Sequence, residues 1–361
     1  MTFKKIQVLL LAIFISSCSY GQPATNGTVK DYFGSDRTIS EVDRFLQSKM
    51  DSLHIPGLSF ALINNGDVVH HKTFGYADRE SKKPVTSQTI FEAASLSKSV
   101  FAFFAMTYVE DGKLDLDKPL YEYLPYPDIA DDDRYKKITA RMVLSHRSGF
   151  PNWRFNEPDG KLKIYFEPGT DYKYSGEGYQ YLAKVLREIE NTDWEGLENI
   201  FQQKIGSPLN LEHTVFLQTP FTRANKAIPY DENGQRLTPS MNNREFGAAY
   251  SIHTEAADFS KWMIAVMNKE ILAEESYSEL FKRHSKLPNN ERDVYYTLGF
   301  TSPEIPGTET NIYMHNGNNP GFTCMYLLDI EKDWGFALFT NSEFGQDLGN
   351  ELGDYLIPEP K

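Results

Sequence analysis

The sequence predicts a mixed α/β (α+β) protein in which both ends of the chain contribute to one antiparallel sheet, with a helical lobe inserted between them. Three observations carry this prediction. β-rich runs occupy 57–78 and 322–341, and helical patterns and loops fill most of 95–285. Of the 361 residues, 40% are hydrophobic and 14% aromatic, which is enough to bury a large core.

The composition and charge exclude several classes of protein. The chain has 37 lysines and arginines against 50 aspartates and glutamates, a net charge of −13. A nucleic-acid-binding surface must be basic to contact phosphates, so nucleic acid is not an expected partner. Glycine and proline show no period, which excludes a collagen-like or low-complexity chain. What remains is a globular protein of the size of an enzyme.

The N-terminal residues predict an export signal over 1–21. Two lysines precede an apolar run over 6–15, and small residues follow it. The run is shorter than the roughly 20 residues that span a bilayer. The segment before Cys18 also resembles a bacterial lipoprotein box, in which a lipid on Cys18 would attach the protein to a membrane, whereas a cut near residue 21 would release it. Either reading predicts export, to the periplasm or to the outer membrane as an anchored lipoprotein.

The first elements of the chain have clear local signals. Ser40 can cap a helix whose apolar residues follow helical spacing, with Asp43 completing a capping-box pattern. The β-rich run that follows is interrupted by Asn65-Gly66, the strongest short signal for a hairpin. The final β-rich run is interrupted at 331–333 and predicts a second hairpin.

The cysteines are not expected to stabilise the fold through a disulfide. Only two are present, and Cys18 is either lipidated or removed, so no intramolecular disulfide is expected. Cys324 lies in a predicted strand, where a small buried hydrophobic side chain is far commoner than a reactive thiol.

The candidate chemistry begins at Ser95 and Lys98. Residues three apart on a helix share a face, so the Ser95 hydroxyl and the Lys98 amine can lie within hydrogen-bond reach. A serine hydroxyl becomes a good nucleophile when a neighbouring base takes its proton. Lysine can be that base if burial lowers its pKa, and the apolar run after Lys98 supplies burial. The pattern alone is weak, because about one match is expected by chance in a chain of this length.

Two further motifs give the pattern its specificity. A Tyr-Ser-Gly triplet begins at Tyr174, and a His-Asn-Gly triplet begins at His315. In this order the three motifs resemble those of the serine β-lactamase and penicillin-binding protein superfamily, which are SxxK, YxN (or SxN) and KTG or HxG. Within this superfamily the chain resembles the class C β-lactamase-like branch, which contains D-alanyl-D-alanine carboxypeptidases, D-aminopeptidases and esterases of the peptidase family S12 type. The likeness extends over about 55–341.

The resemblance implies a fold and a division of the chain. It implies a five-stranded antiparallel sheet with flanking helices and an inserted all-α lobe, as in β-lactamases and DD-peptidases. One catalytic domain over 35–357 would then have an α/β lobe over about 35–94 and 290–357 and a helical lobe over about 95–289.

The same resemblance implies roles for the first two motifs. Ser95 would be the acylated nucleophile, and Lys98 would hold or accept its proton. Tyr174 would be a second candidate base, poised to pass a proton to the leaving group. Which of Lys98 and Tyr174 takes the first proton stays open.

The third motif is implied to bind the substrate. His315 and Gly317 would line the strand beside the substrate. Because Gly317 has no side chain, the substrate could approach the backbone of this strand closely. The oxyanion hole would consist of the backbone N–H groups of Ser95 and Asn318.

Two positions depart from the family pattern. Gly176 stands where the family often has an asparagine that holds the amide side chain of a substrate, which argues against efficient β-lactamase activity. Glu177 would either replace that polar group or cap the following helix. His315 replaces a lysine, a permanent cation, with an imidazole that is mostly neutral at pH 7 when unperturbed. If protonation of His315 helps to bind an acidic substrate, KM should rise above pH ~6.5.

Other histidines suggest weaker alternatives. His70 and His71 lie on a predicted strand, point to opposite faces and cannot jointly hold a metal, and neither a metal nor another cofactor is expected. His146 could be a triad base beside Ser148, although the resemblance favours a structural segment near the cleft. The stretch 244–254 is assigned to scaffolding.

The sequence therefore predicts an exported serine hydrolase that forms an acyl-enzyme on an amide or ester of a small-molecule or peptide substrate. Peptidase or amidase activity on D-amino-acid or cell-wall-like peptides ranks first, ahead of carboxylesterase and weak β-lactamase activity. A catalytically silent cell-wall-binding protein of the same fold is the alternative from another class.

Overall fold

The computed structural model describes residues 27–239, 244–288, 293–305, 307–308 and 310–358, so the predicted signal peptide and Cys18 lie outside it. The strands are β1 (Thr28–Lys30), β2 (Asp36–Thr38), β3 (Gly57–Asn64), β4 (Asp67–Asp78), β5 (Lys83–Pro84), β6 (Phe91–Ala94), β7 (Ile252–Thr254), β8 (Ser285–Lys286), β9 (Val294–Tyr296), β10 (Thr301–Pro303), β11 (Ile312–Asn319), β12 (Phe322–Asp329) and β13 (Trp334–Thr340). The α-helices are α1 (Ile39–Ser52), α2 (Ser97–Glu110), α3 (Ala140–Leu144), α4 (Gly176–Ile189), α5 (Trp194–Phe201), α6 (Pro220–Asn225), α7 (Ala256–Met267), α8 (Glu274–Phe281) and α9 (Gly345–Leu356). None of these helices is both long and apolar enough to cross a membrane.

A nine-stranded antiparallel sheet runs through the described part of the chain in the order β5-β4-β3-β13-β12-β11-β10-β9-β8. Its centre is made of five long strands, β4, β3, β13, β12 and β11, as the predicted fold requires. Four strands of two or three residues extend its two edges. Because β3 pairs with β13, the two ends of the chain build one sheet, which confirms the predicted fold class.

Local signals place the first hairpin correctly and the first helix cap two residues too late. Asn65 and Gly66 both have positive φ, at 50° and 75°, and join β3 to β4. A two-residue turn with both φ positive matches the twist of a hairpin. The cap of α1 is Thr38 rather than Ser40, since the Thr38 side chain accepts from the N–H of Glu41 and the Glu41 carboxylate accepts from the N–H of Thr38.

Both faces of the sheet are covered. Helices α1 and α9 pack on one face and α7 packs on the other. Consequently all eight residues of β3 are buried, as are all eight of β12. Helix α2 is mainly apolar, and it is buried around nearly its whole circumference in the core between the sheet and the helical lobe. A helix without a polar face is typically buried in this way.

The paired histidines of β4 face opposite sides of the sheet. His70 contacts Asp43 of α1, and His71 contacts Glu255 at the start of α7. In the residues that the structure describes, no three His, Cys, Asp or Glu side chains are grouped so that they could hold a metal ion.

Candidate active site

Ser95 lies in a sharp turn between β6 and α2. Ala94 has a φ of 46°, a left-handed conformation that is uncommon for a residue with a side chain. The Ser97 hydroxyl holds the turn, because it donates to the carbonyl of Ala94 and accepts from the N–H of Ile252. From Phe91 to Val100 only Ser95 is partly exposed. The turn therefore presents one hydroxyl from an otherwise buried segment.

Lys98 lies directly behind this hydroxyl. Its Nζ is 3.1 Å from Ser95 Oγ and 2.8 Å from the carbonyl oxygen of Ala249. The side chain is 1% exposed, and burial lowers the pKa of Lys98 to about 7. Near neutral pH a large fraction of this amine is uncharged and has a lone pair available for the Ser95 proton.

The Tyr174 phenol is the third polar group beside Ser95 and Lys98. Its ring centroid is 4.6 Å from Lys98 Nζ. Burial raises the pKa of Tyr174, and a hydrogen bond with Ser95 offsets only part of that rise. The phenol therefore keeps its proton at neutral pH, whereas a large fraction of the Lys98 amine has lost its proton. Between the two candidate bases, only Lys98 has a pKa suited to taking the first proton.

His315 lies on β11 beside Tyr174, with 6.2 Å between the ring centroids. Its Nδ1 is 2.7 Å from the Asn316 carbonyl, which can only accept, so Nδ1 carries the hydrogen. Its Nε2 then accepts from the Tyr296 hydroxyl at 3.1 Å. Burial, together with the charge of Lys98, lowers the pKa of His315 to about 3. The structure thus places the imidazole in the wall of the site as a neutral group.

Because the His315 imidazole is neutral, we expect that titration of His315 does not contribute to the pH dependence of KM. Because His315 is uncharged above pH ~3, the KM for an acidic substrate should have the same pH dependence in the wild type and in His315→Gln between pH 5.5 and 8. Over the same range kcat/KM should rise through pH ~7 as Lys98 loses its proton. Steady-state kinetics with an acidic substrate and its neutral analogue measure both. A rise in KM above pH 6.5 for the acidic substrate that occurs in the wild type and is absent from His315→Gln would contradict the burial argument, because loss of the Lys98 charge affects both proteins alike.

The packing around Gly317 leaves no room for a side chain. A Cβ there would lie 2.5 Å from the carbonyl oxygen of Ala93 and 2.4 Å from Cys324 Sγ. Strand β6, which leads to the nucleophile, thus approaches Gly317 closely. Cys324 is buried and donates its S–H to the carbonyl oxygen of Ala93, in keeping with a packing role.

Asn318 is exposed at the end of β11. The hairpin between β11 and β12 closes with Asn319 opposite Phe322. Opposite pairs in an antiparallel ladder alternate between hydrogen-bonded and non-bonded, and a two-residue turn closes on a bonded pair. The N–H of Asn318 therefore points away from β12. On that side, within the part of the chain that the structure describes, β10 pairs with β11 only at Met314.

Gly176 begins α4 and lies under the indole of Trp153. A Cβ at Gly176 would come within 2.5 Å of that ring. Ser175 caps α4, since its hydroxyl accepts from the N–H of Gly178. Glu177 is therefore not the cap of α4: it is buried and forms an ion pair with Arg154 at 2.8 Å. An aromatic surface thus stands where the family often has a polar amide.

Sequence reasoning missed several residues that hold the site. Ala249 belongs to the stretch assigned to scaffolding, yet its carbonyl accepts from Lys98; a backbone acceptor leaves no signal in a sequence. Asn319 donates to Glu92 at 2.6 Å, which ties the residue after Asn318 to the strand before Ser95. The Glu92 carboxylate is also paired with Lys226 at 2.5 Å.

The triad interpretation of His146 and Ser148 does not fit the structure. The Ser148 hydroxyl accepts from the N–H of Phe150. The His146 Nδ1 accepts from the N–H of Ser175 instead. The two side chains therefore do not form a base–nucleophile pair.

Comparisons with known proteins agree on one fold. The profile of the family described as Beta-lactamase matches residues 42–356. Protein flp of Staphylococcus aureus is 24% identical over 339 residues, which cover 88% of this chain and 66% of that protein. The chain thus spans about two thirds of the length of this curated relative.

Two solved structures superpose on most of the chain. An octameric penicillin-binding protein homologue from Pyrococcus abyssi has a TM-score of 0.73 at 22% identity, covering 87% of this chain and 77% of its own. D-alanine carboxypeptidase AmpC from Burkholderia cenocepacia has a TM-score of 0.72 at 18% identity, covering 86% of this chain and 96% of its own. At these identities the likeness shows the fold.

Proposed function

The chain belongs to the β-lactamase family and is a serine hydrolase, and on this premise we propose that it forms an acyl-enzyme at Ser95 on amide bonds of D-amino-acid or cell-wall-like peptides. One observation carries the proposal. Ser95 Oγ lies 3.1 Å from an amine whose pKa burial lowers to about 7. A partly exposed hydroxyl beside a buried, partly uncharged lysine is an activated nucleophile.

The proposed acylation includes three proton transfers. The Lys98 amine takes the Ser95 proton as Oγ bonds to the substrate carbonyl carbon. The C–N bond then breaks, and the Tyr174 phenol gives its proton to the leaving amine. The Lys98 ammonium, 4.6 Å from the Tyr174 ring centroid, returns a proton to the phenolate. Water later attacks the acyl carbon and gives a proton to the uncharged Lys98 amine. This amine passes the proton to Ser95 Oγ as the C–O bond of the acyl-enzyme breaks and the acid product leaves.

The negative oxygen of the intermediate needs fixed donors. The proposed pair is the backbone N–H of Ser95 and that of Asn318, which points away from β12. The hydrogen bond between Asn319 and Glu92 holds the two donor segments together. Loss of one such donor typically costs about 2.7–4 kcal/mol of transition-state stabilisation.

The neutral wall of the site favours an uncharged group next to the scissile bond. His315 presents a neutral imidazole, and Trp153 covers Gly176 with an aromatic ring. A free carboxylate at this position would lack the permanent cation that lysine supplies in the KTG motif. The proposed substrates are therefore amides and internal peptide bonds, with carboxylesterase activity as the second candidate because an ester is equally neutral.

A matched pair of peptides tests this proposal. We expect a peptide ending in D-Ala-D-Ala amide to be hydrolysed with a kcat/KM at least tenfold above that of the same peptide with a free carboxylate. A D-amino-acid amide, a p-nitrophenyl ester and nitrocefin complete the panel, and intact-protein mass spectrometry after a fluorescent penicillin reports acylation. Faster cleavage of the free carboxylate would reverse the substrate assignment. Binding to peptidoglycan without turnover of any probe would favour the silent cell-wall-binding protein.

Export is proposed on the N-terminal pattern alone. A charged start, a short apolar run and small residues precede Cys18. The proposed location is the periplasm or, with a lipid on Cys18, the outer membrane. Cell-wall peptides are accessible to an enzyme in either place.

A further inference from the structure

His146 is buried among the aromatic side chains behind the nucleophile. Its ring centroid lies 4.3 Å from that of Tyr174 and 4.4 Å from that of Tyr296. Its φ of 58° is left-handed. Among residues with side chains, Asn, Asp and His are the ones enriched in this conformation.

Two hydrogen bonds connect His146 to the residues on either side of Tyr174. The N–H of Lys173 donates to the carbonyl oxygen of His146 at 2.9 Å. The N–H of Ser175 donates to the Nδ1 of His146 at 3.1 Å. Residues 172–175 belong to no helix or strand, so no ladder of regular secondary structure fixes the backbone at Tyr174.

The second of these bonds requires a particular form of the imidazole. A backbone N–H can only donate, so Nδ1 must be the acceptor and the ring hydrogen must sit on Nε2. That Nε2 has no hydrogen-bond partner among the described residues and is buried. The only hydrogen bond that the ring makes in this part of the chain is thus the one to the segment carrying Tyr174.

We propose that His146 is a positioning residue of the acylation site, whose Nδ1 and carbonyl oxygen hold the Tyr174 phenol against Ser95 and Lys98. This inference rests on the proposed function, because it assigns His146 an effect that passes through the proton transfer by Tyr174. If His146 only filled space in the core, its replacement would lower stability, and the effect of the replacement on kcat would be the same with and without the Tyr174 phenol.

A double-mutant cycle separates these roles. The full chain is prepared with His146→Leu or His146→Asn, each alone and combined with Tyr174→Phe. Asparagine tolerates the left-handed conformation and can accept the N–H of Ser175, whereas leucine cannot accept. We expect His146→Leu to lower kcat about 100-fold at nearly constant KM, as for loss of an acid–base group. His146→Asn should stay within about fivefold of wild type, and His146→Leu should cost under about threefold in the Tyr174→Phe background.

A second variant keeps the test valid if His146→Leu fails to fold. Glycine accepts the φ of 58°, and His146→Gly leaves a space for free imidazole. We expect added imidazole to restore kcat of His146→Gly at least tenfold, and to restore nothing in His146→Gly combined with Tyr174→Phe.

The outcomes show separately whether the positioning role of His146 fails or whether the proposed function fails. An inactive wild-type protein on every amide and ester probe removes the proposed function. An active wild type in which His146→Leu costs as much in the Tyr174→Phe background as it does alone removes the positioning role and leaves the function standing. Rescue by imidazole that does not require the phenol does the same.

Discussion

Replacement of Ser95 by alanine is expected to lower kcat by about a million-fold, in practice to the detection limit, on every substrate that the wild type hydrolyses. The neighbouring hydroxyl cannot substitute for it. Ser97 Oγ is buried and donates to the Ala94 carbonyl at 2.6 Å, and among the described residues Ser95 is the one serine whose hydroxyl is hydrogen-bonded to the Lys98 amine. The measurements are kcat on the best substrate of the panel and the mass of the protein after incubation with an acylating probe.

The matched control for this variant is Ser87→Ala, which removes an exposed hydroxyl outside the site. It should keep full activity and the same adduct mass as the wild type. The adduct should map to the peptide containing Ser95 and be absent from Ser95→Ala. Activity of Ser95→Ala within tenfold of wild type, or an adduct on another residue, would contradict the assignment of the nucleophile.

Replacement of Lys98 by methionine is expected to change activity and stability in opposite directions. Activity should fall by about 10²- to 10⁴-fold, because the base that takes the Ser95 proton is lost. The free energy of unfolding should rise at neutral pH, because a buried amine that prefers to be charged in water is replaced by an apolar side chain. Such opposition between activity and stability is expected where an active site contains a buried ionisable group.

The pH dependence of this stability difference follows from the two pKa values. Lys98 titrates near 10.5 in the unfolded chain and near 7 in the folded protein. Between these values the unfolded state binds a proton that the folded state does not, so wild-type stability rises with pH by about 1.4 kcal/mol per unit. The methionine variant lacks this dependence. Its advantage should be largest below pH ~7, where both states of the wild type keep the proton, and should shrink steadily from there towards pH 10.

Denaturant unfolding of both proteins at pH 7, 8 and 9 measures this difference, with the exposed Lys282→Met as control. Titrations common to all three proteins cancel in the comparison. Lys282→Met should keep full activity and show no such trend, since the Lys282 side chain is mostly in solvent. A constant difference between Lys98→Met and wild type over this range would mean that the Lys98 pKa is not lowered in the folded protein.

The local features of the fold could be read from the sequence because they depend on neighbours along the chain. The Asn65-Gly66 turn is an example, since its positive φ angles are a property of those two residue types. The reach of Lys98 to Ser95 is another, because the two residues are three apart in the turn that leads into α2, where the N–H of Lys98 also donates to the carbonyl oxygen of Ser95. The cap of α1 shows the usual limit, as Thr38 and Glu41 compete with Ser40 and Asp43 for the same role.

The state of the candidate site depended on contacts that no local pattern encodes. The sequence alone determined which side chains were available and in what order, from Ser95 to His315. Tertiary packing decided that the His315 imidazole is neutral, that Gly317 lies against β6 and that the Ala249 carbonyl holds Lys98. The physical reason is that burial and hydrogen-bond partners set a pKa, and Ala249 is 151 residues away from Lys98 along the chain.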